Sequence, residues 1–110
     1  MKLYVIEDLT PENIRTVRDH LNSMELGGTM PDLFWLPLPK AMLNQTQSEH
    51  AECAPHCMAL EIDGHMLRLE LLVRARNRLR CDCVCYASPE LREHMIQYLD
   101  DMLAQLGIYV

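Results

Sequence analysis

Cys57-Met58-Ala59-Leu60-Glu61-Ile62-Asp63-Gly64-His65-Met66-Leu67-Arg68-Leu69-Glu70-Leu71-Leu72-Val73 is the most orderly stretch of the chain. Two largely alternating runs of apolar and polar side chains flank Asp63-Gly64, a dipeptide that favours a two-residue hairpin turn. With Asp63 and Gly64 as the turn, Ile62 faces His65, Leu60 faces Leu67 and Met58 faces Leu69. The other side then carries Glu61 with Met66, Ala59 with Arg68 and Cys57 with Glu70. An apolar face separates from a polar one, as an antiparallel pair with one buried side requires.

Downstream, a turn around Asn77 leads to a third strand over Leu79–Tyr86. An odd-numbered loop places Cys81 opposite Val73, Cys83 opposite Leu71 and Cys85 opposite Leu69, all on the apolar face. Arg80, Asp82, Val84 and Tyr86 take the other face. Ser88-Pro89-Glu90 then opens a helix with an N-cap hydroxyl, a proline at the first helical position and an early acid. Leu91, Met95, Tyr98, Leu99, Met102 and Leu106 form its apolar stripe, Gly107 ends it, and Ile108-Tyr109-Val110 offers a short final strand.

Upstream, Leu3–Glu7 reads as a strand and Thr10-Pro11-Glu12 as a second helix start. Ile14, Val17, Leu21 and Met24 make its stripe, and Gly27-Gly28 is expected to end it. Residues 29–55 are the least regular part, because Pro31, Pro37 and Pro39 interrupt helices and strand ladders. Leu33-Phe34-Trp35-Leu36 and Leu38 are too apolar for a free linker. The segment is therefore expected to wrap the body and bury Phe34 and Trp35. Residues 44–53 suit a short helix capped by Asn44, with His50 and Cys53 one turn apart.

The order β-α-(irregular)-β-β-β-α-(β) predicts a single α+β domain over 1–110. Its form is a two-layer sandwich, a ferredoxin-like variant with a mainly antiparallel sheet and both helices on one face. A chain of 110 residues, 49% of them hydrophobic, can bury such a core without disulfides or metal. No leader pattern opens it and no apolar run is long enough to span a bilayer, so a cytoplasmic protein with reduced thiols is expected.

All five cysteines fall in two clusters, His50-Ala51-Glu52-Cys53-Ala54-Pro55-His56-Cys57 and Cys81-Asp82-Cys83-Val84-Cys85. Zinc takes four nitrogen or sulfur ligands, and closely spaced pairs preorganise it. His50-x-x-Cys53 supplies one pair on a helical turn, and Cys81-x-Cys83 supplies another on one strand face. The metal candidates are therefore His50, Cys53, Cys81 and Cys83, with His56 as a substitute and Zn as the cofactor. Cys57 lies on the opposite face in this register. The competing reading is that Cys81, Cys83 and Cys85 are small core residues, since free cysteine is among the most buried residue types. A third reading is a thiol-dependent redox protein using Cys53 or Cys57, beside His50 and His56. No C-x-x-C motif supports it, and iron–sulfur clusters use tighter spacings.

The net charge of −6 is unevenly placed: residues 68–80 carry five arginines against Glu70, and the rest of the chain carries five basic residues against fifteen acidic ones. Arg74, Arg76, Arg78 and Arg80 alternate around a hairpin tip, a candidate anion, RNA or partner contact. The plainer reading is a solvated tip whose charges keep an exposed edge from pairing. An acidic body without stacking aromatics argues against nucleic acid. The sheet face away from the helices carries Arg68, Glu70, Glu61 and Asp82 with Leu72, Val84 and Tyr86. Either the Leu33–Leu38 segment covers it, or a second copy of the chain does, as a homodimer.

Glycine-rich phosphate loops and nucleophile elbows are absent, and the adjacent acids Glu7-Asp8 and Asp100-Asp101 point in different directions. The residues therefore suggest a small non-catalytic binding or adaptor module with an unknown protein partner, and with the metal centre as a structural element.

Overall fold

The computed structural model describes residues 1–78 and 80–110. β3 (His56–Asp63) is the spine of the sheet. β2 (Leu33–Pro37) lies along one side of it. On the other side, β4 (Met66–Glu70) flanks its C-terminal half and β5 (Leu72–Ala75) its N-terminal end. β1 (Leu3–Ile6) then pairs with β4, and β6 (Cys85–Tyr86) with β5. All these pairings are antiparallel, and with helices α1 (Pro11–Ser23), α2 (Gln45–Glu49) and α3 (Pro89–Gln105) they define an α+β fold. Two strands, β4 and β3, stand between β1 and β2, so β2 runs antiparallel to β1. The connection through α1 thus departs from a simple βαβ crossover.

The hairpin forms where the pattern placed it, with the turn one residue later. Asp63 pairs with Met66, so the central residues are Gly64 and His65. Gly64 adopts φ +60°, which glycine takes at the first central position of a tight hairpin turn without Cβ strain. The register moves by two residues, so every side chain keeps its face: Leu60 meets Leu69 and Ile62 meets Leu67. Glu61 now stands opposite Arg68, which bonds Glu61 at 3.4 Å and Asp63 at 3.3 Å on the open face.

Of the long third strand expected over Leu79–Tyr86, only β6 forms; residues 80–84 are turn, bend and irregular backbone, and Leu79 lies outside the described residues. β3 moves from Leu60 to Cys57 while its neighbour moves from Leu69 to Arg74, so two extra residues bulge at Leu71. The Leu71 N–H donates to Lys2 O, and its carbonyl accepts from Ala87 N–H. The strand beyond is displaced: Val73 faces Cys85, not Cys81, and Leu72 faces Tyr86.

Residues 29–55 are more regular than their prolines suggested. Leu33–Pro37 is a full sheet strand, so Phe34 and Leu36 are buried while Trp35, on the other face, is half-buried. The segment therefore does not fold over the open face; it belongs to the sheet. The expected helix over 44–53 splits into α2 and a 3-10 turn, Ala51–Cys53, with His50 between them. α1 ends before Gly27-Gly28: Met24 caps it, Glu25 takes the positive φ, and Gly27 bridges to Phe34. Ile108–Val110 form no strand.

Both long helices feed one core. Ile14, Val17 and Leu21 of α1, and Leu91, Met95, Leu99, Met102 and Leu103 of α3, pack with Phe34, Leu36, Met58, Leu60, Leu67 and Leu69. Thr10 and Ser88 cap the two helices through their hydroxyls, each accepting a backbone N–H from the third helical residue. Among the described residues, no helix is long and apolar enough to cross a membrane.

Candidate metal centre

Beyond the reach of the long helices, the core face ends in a second, small buried cluster. Cys53, Cys83 and Ala75 form it, with Cys81 and Val84 packed against them. Cys53 and Cys83 are thus buried, with Cys81 half-buried beside them, in a corner of their own, separate from the helix-backed core.

Two segments meet there, each fixed by backbone bonds. On one, the Asn44 side chain accepts from Gln47 N–H while the Gln47 side chain accepts from Asn44 N–H, a reciprocal cap that starts α2. The helix stops after one turn, and Cys53 N–H donates to His50 O to close the 3-10 turn. On the other, Cys81 and Cys83 lie in a tight turn where Val84 N–H donates to Cys81 O. The hairpin tip is tied to the first segment: Asn77 N–H donates to Cys53 O, its side chain to Glu52 O, and Arg76 N–H to Pro55 O.

His50 Nδ1 lies 2.9 Å from Cys81 Sγ and 4.0 Å from Cys53 Sγ, and the two sulfurs are 3.6 Å apart. With Cys83 Sγ included, the four donor atoms all lie within 4.8 Å of one another. Zinc–sulfur bonds of about 2.3 Å and zinc–nitrogen bonds of about 2.0 Å give tetrahedral edges of about 3.5–3.8 Å for one nitrogen and three sulfurs. The sulfur–sulfur distance matches such an edge. A small shift of the imidazole away from Cys81 and towards Cys53 evens the other two. The donor set of one imidazole and three thiols therefore suits a tetrahedral metal of the zinc type.

The thiols titrate apart. Backbone N–H donation from Cys83 lowers the Cys81 thiol, with further help from Cys83, His50 and Cys53 side chains. Burial raises Cys53 and Cys83; both neighbouring thiols add to the shift at Cys83, whereas at Cys53 the Cys81 thiol adds and the Cys83 thiol partly offsets. Only a cation would favour all three as thiolates at once, so metal uptake here must release protons.

Gln47 was not singled out from the sequence, although Asn44-x-x-Gln47 is the spacing of a capping box. It is 3% exposed, and its amide donates to Cys83 O at 3.1 Å and to Cys85 Sγ at 3.4 Å. One buried amide thus joins the start of α2 to the Cys81–Cys85 segment. Cys85, which also accepts from Asn44 at 3.5 Å, seats this contact and is outside the four-donor group.

His56, the substitute ligand, is not brought into the group. It is buried on β3, and its Nε2 has no hydrogen-bond partner. Burial lowers its pKa, with a smaller push from His50. Cys57 lies on the opposite face of β3, 3% exposed, where burial raises its thiol and Arg76 partly offsets the shift. Cys53 is fully buried and raised as well, and buried raised thiols are poor nucleophiles towards molecules arriving from solvent.

The four arginines of the tip do not converge. Arg74 is engaged by Glu70, and Arg76 lies over the Trp35 ring at 4.5 Å. Arg78 and Arg80 are exposed. No protein-family model matches this chain, and neither does any curated protein or solved structure.

Proposed function

We propose that this chain is a small binding module whose middle segment is fastened to its sheet by one zinc ion, held by His50, Cys53, Cys81 and Cys83. The observation that carries the reading is the approach of four zinc-type donors to within 4.8 Å, from segments about thirty residues apart in the chain. Four protein donors complete a tetrahedral shell and leave no position for substrate, which is the pattern of a structural site. The zinc clamps the Ala51–Cys53 turn to the Cys81–Cys83 turn and steadies the intervening sheet edge. Thiolate ligands in this number suit a reducing compartment, and the cytoplasm is the compartment this reading takes.

The binding surface in this reading is the open sheet face. Val5 and Tyr86 are exposed there beside the Arg68, Glu61 and Asp63 ion pairs. Its occupant is a protein partner, with a second copy of the chain as the simplest case.

Elemental analysis of tag-free chain purified under reducing conditions tests the metal, with free thiols counted before and after unfolding. About one zinc per chain is expected, with Cys53, Cys81 and Cys83 masked until it is removed. Metal-free protein whose thiols react only on unfolding would make the corner a packed cysteine cluster and overturn the reading.

A further inference from the structure

We infer that Cys53 and Cys81 are a reversible dithiol pair, oxidised to a disulfide by hydroperoxide with loss of the metal. The metal loss rests on the zinc reading above; the disulfide rests on geometry alone. The two sulfurs are 3.6 Å apart, with no backbone between them to move aside. A disulfide needs about 2.05 Å, so closure requires an approach of about 1.5 Å between two turns. Cys81 is half-buried and is the accessible member of the group, while Cys53 and Cys83 are fully buried. Oxidant therefore reaches Cys81 first, with Cys53 directly behind it. Cys83 is the less suitable resolving thiol, because it is two residues along the same tight turn and would close a small, strained ring.

In the first step the Cys81 thiolate attacks one peroxide oxygen. The O–O bond breaks, hydroxide takes up a proton and leaves as water, and Cys81 becomes a sulfenic acid. Cys53 then attacks that sulfur as its thiolate. The S–O bond breaks, the S–S bond forms, and hydroxide leaves as a second water with the proton Cys53 gave up. Two thiols and one hydrogen peroxide thus give one disulfide and two waters, with two electrons passing from sulfur to oxygen. His50 and Cys83 alone remain as donors, which is too few to retain zinc, and a dithiol reductant restores the site.

The experiment treats the zinc-treated chain, freed of reductant, with hydrogen peroxide. A chromogenic chelator reports released metal, and non-reducing peptide mapping locates the bond. The expected result is loss of two of the five thiols, a single Cys53–Cys81 link, and zinc release in step with it. Reductant and zinc together should reverse both. Cys83→Ser should form the same link. Cys81 joined to Cys83, Cys81 halted as a sulfinic acid, or Cys53 and Cys81 both left free would each overturn the inference. A Cys53–Cys81 link in a chain that takes up no metal upholds the pair and overturns the zinc reading instead. One zinc per chain with no such link does the reverse.

Discussion

The β3–β4 hairpin and the His50–Cys83 corner are held by different physics. The hairpin is redundant: Met58, Leu60, Ile62, Leu67 and Leu69 belong to one large buried cluster that also takes in side chains of both long helices and of β2. The corner depends on few contacts. Its buried cluster has three residues, and the rest is backbone bonds from Asn77 and Arg76 and one amide from Gln47. A redundant core tolerates the loss of any polar contact and suffers most from lost volume. A sparse polar corner depends on whatever sits at its centre.

Truncation in the hairpin should have the largest effect on the whole chain. Leu60 is fully buried, so Leu60→Ala should cost about 2–5 kcal/mol in urea unfolding. A loss below about 1 kcal/mol would mean that the main core is not where the fold's stability resides. Metal removal should act differently. A metal ion bound by the native state alone would stabilise it by about 2.7 kcal/mol at a hundred times its dissociation constant. Stripping it should raise hydrogen exchange over residues 44–56 and 76–85 while leaving β3, β4 and α3 protected. Uniform loss of protection would mean that corner and core unfold together and would erase the distinction.

The same contrast governs what was legible beforehand. The hairpin faces could be read because side chains alternate strictly and a two-residue register error returns each to its own face. Both long helices showed themselves through Thr10-Pro11 and Ser88-Pro89. Chemistry and spacing point to the four donors, and they do meet, but on a backbone the spacing does not show. Cys81 and Cys83 were placed on a continuous strand; the bulge at Leu71 instead displaces the pairing and leaves them in a turn. A bulge set by Lys2 and Ala87 backbone contacts has no local signature. β2 was hidden because Pro37 sits at an edge, where a missing N–H does no harm.

Gln47 sharpens the comparison by one amide. Gln47→Ala removes the half of the reciprocal cap in which its side chain accepts from Asn44 N–H, and the bonds to Cys83 O and Cys85 Sγ. Leaving a buried carbonyl unpaired should cost about 1–2 kcal/mol, felt as exchange in α2 rather than as a shift of the main unfolding transition. Lost support for a metal ligand typically weakens binding about 10–100-fold, which a zinc competition titration would read. Unchanged affinity would confine Gln47 to capping.

His56 should give the smallest effect, and it carries a sign that separates the two regions. It lies where β3 enters the corner, buried, with Nε2 unpartnered and its pKa lowered chiefly by burial. A base whose folded pKa is depressed binds fewer protons in the native state than in the unfolded one. Its contribution is therefore present above the ordinary histidine value of about 6.5 and is lost as pH falls through the lower folded pKa. His56→Phe removes that proton demand while keeping an aromatic ring in the apolar surroundings of Ala75 and Pro55. The test compares urea midpoints of the two proteins, both metal-free, at pH 8 and pH 5. The native chain should lose more stability between those values than the variant, because only it must hold an imidazole neutral in acid. Equal losses would mean that His56 reaches water when it charges, and the orphaned nitrogen would then place no strain on the corner.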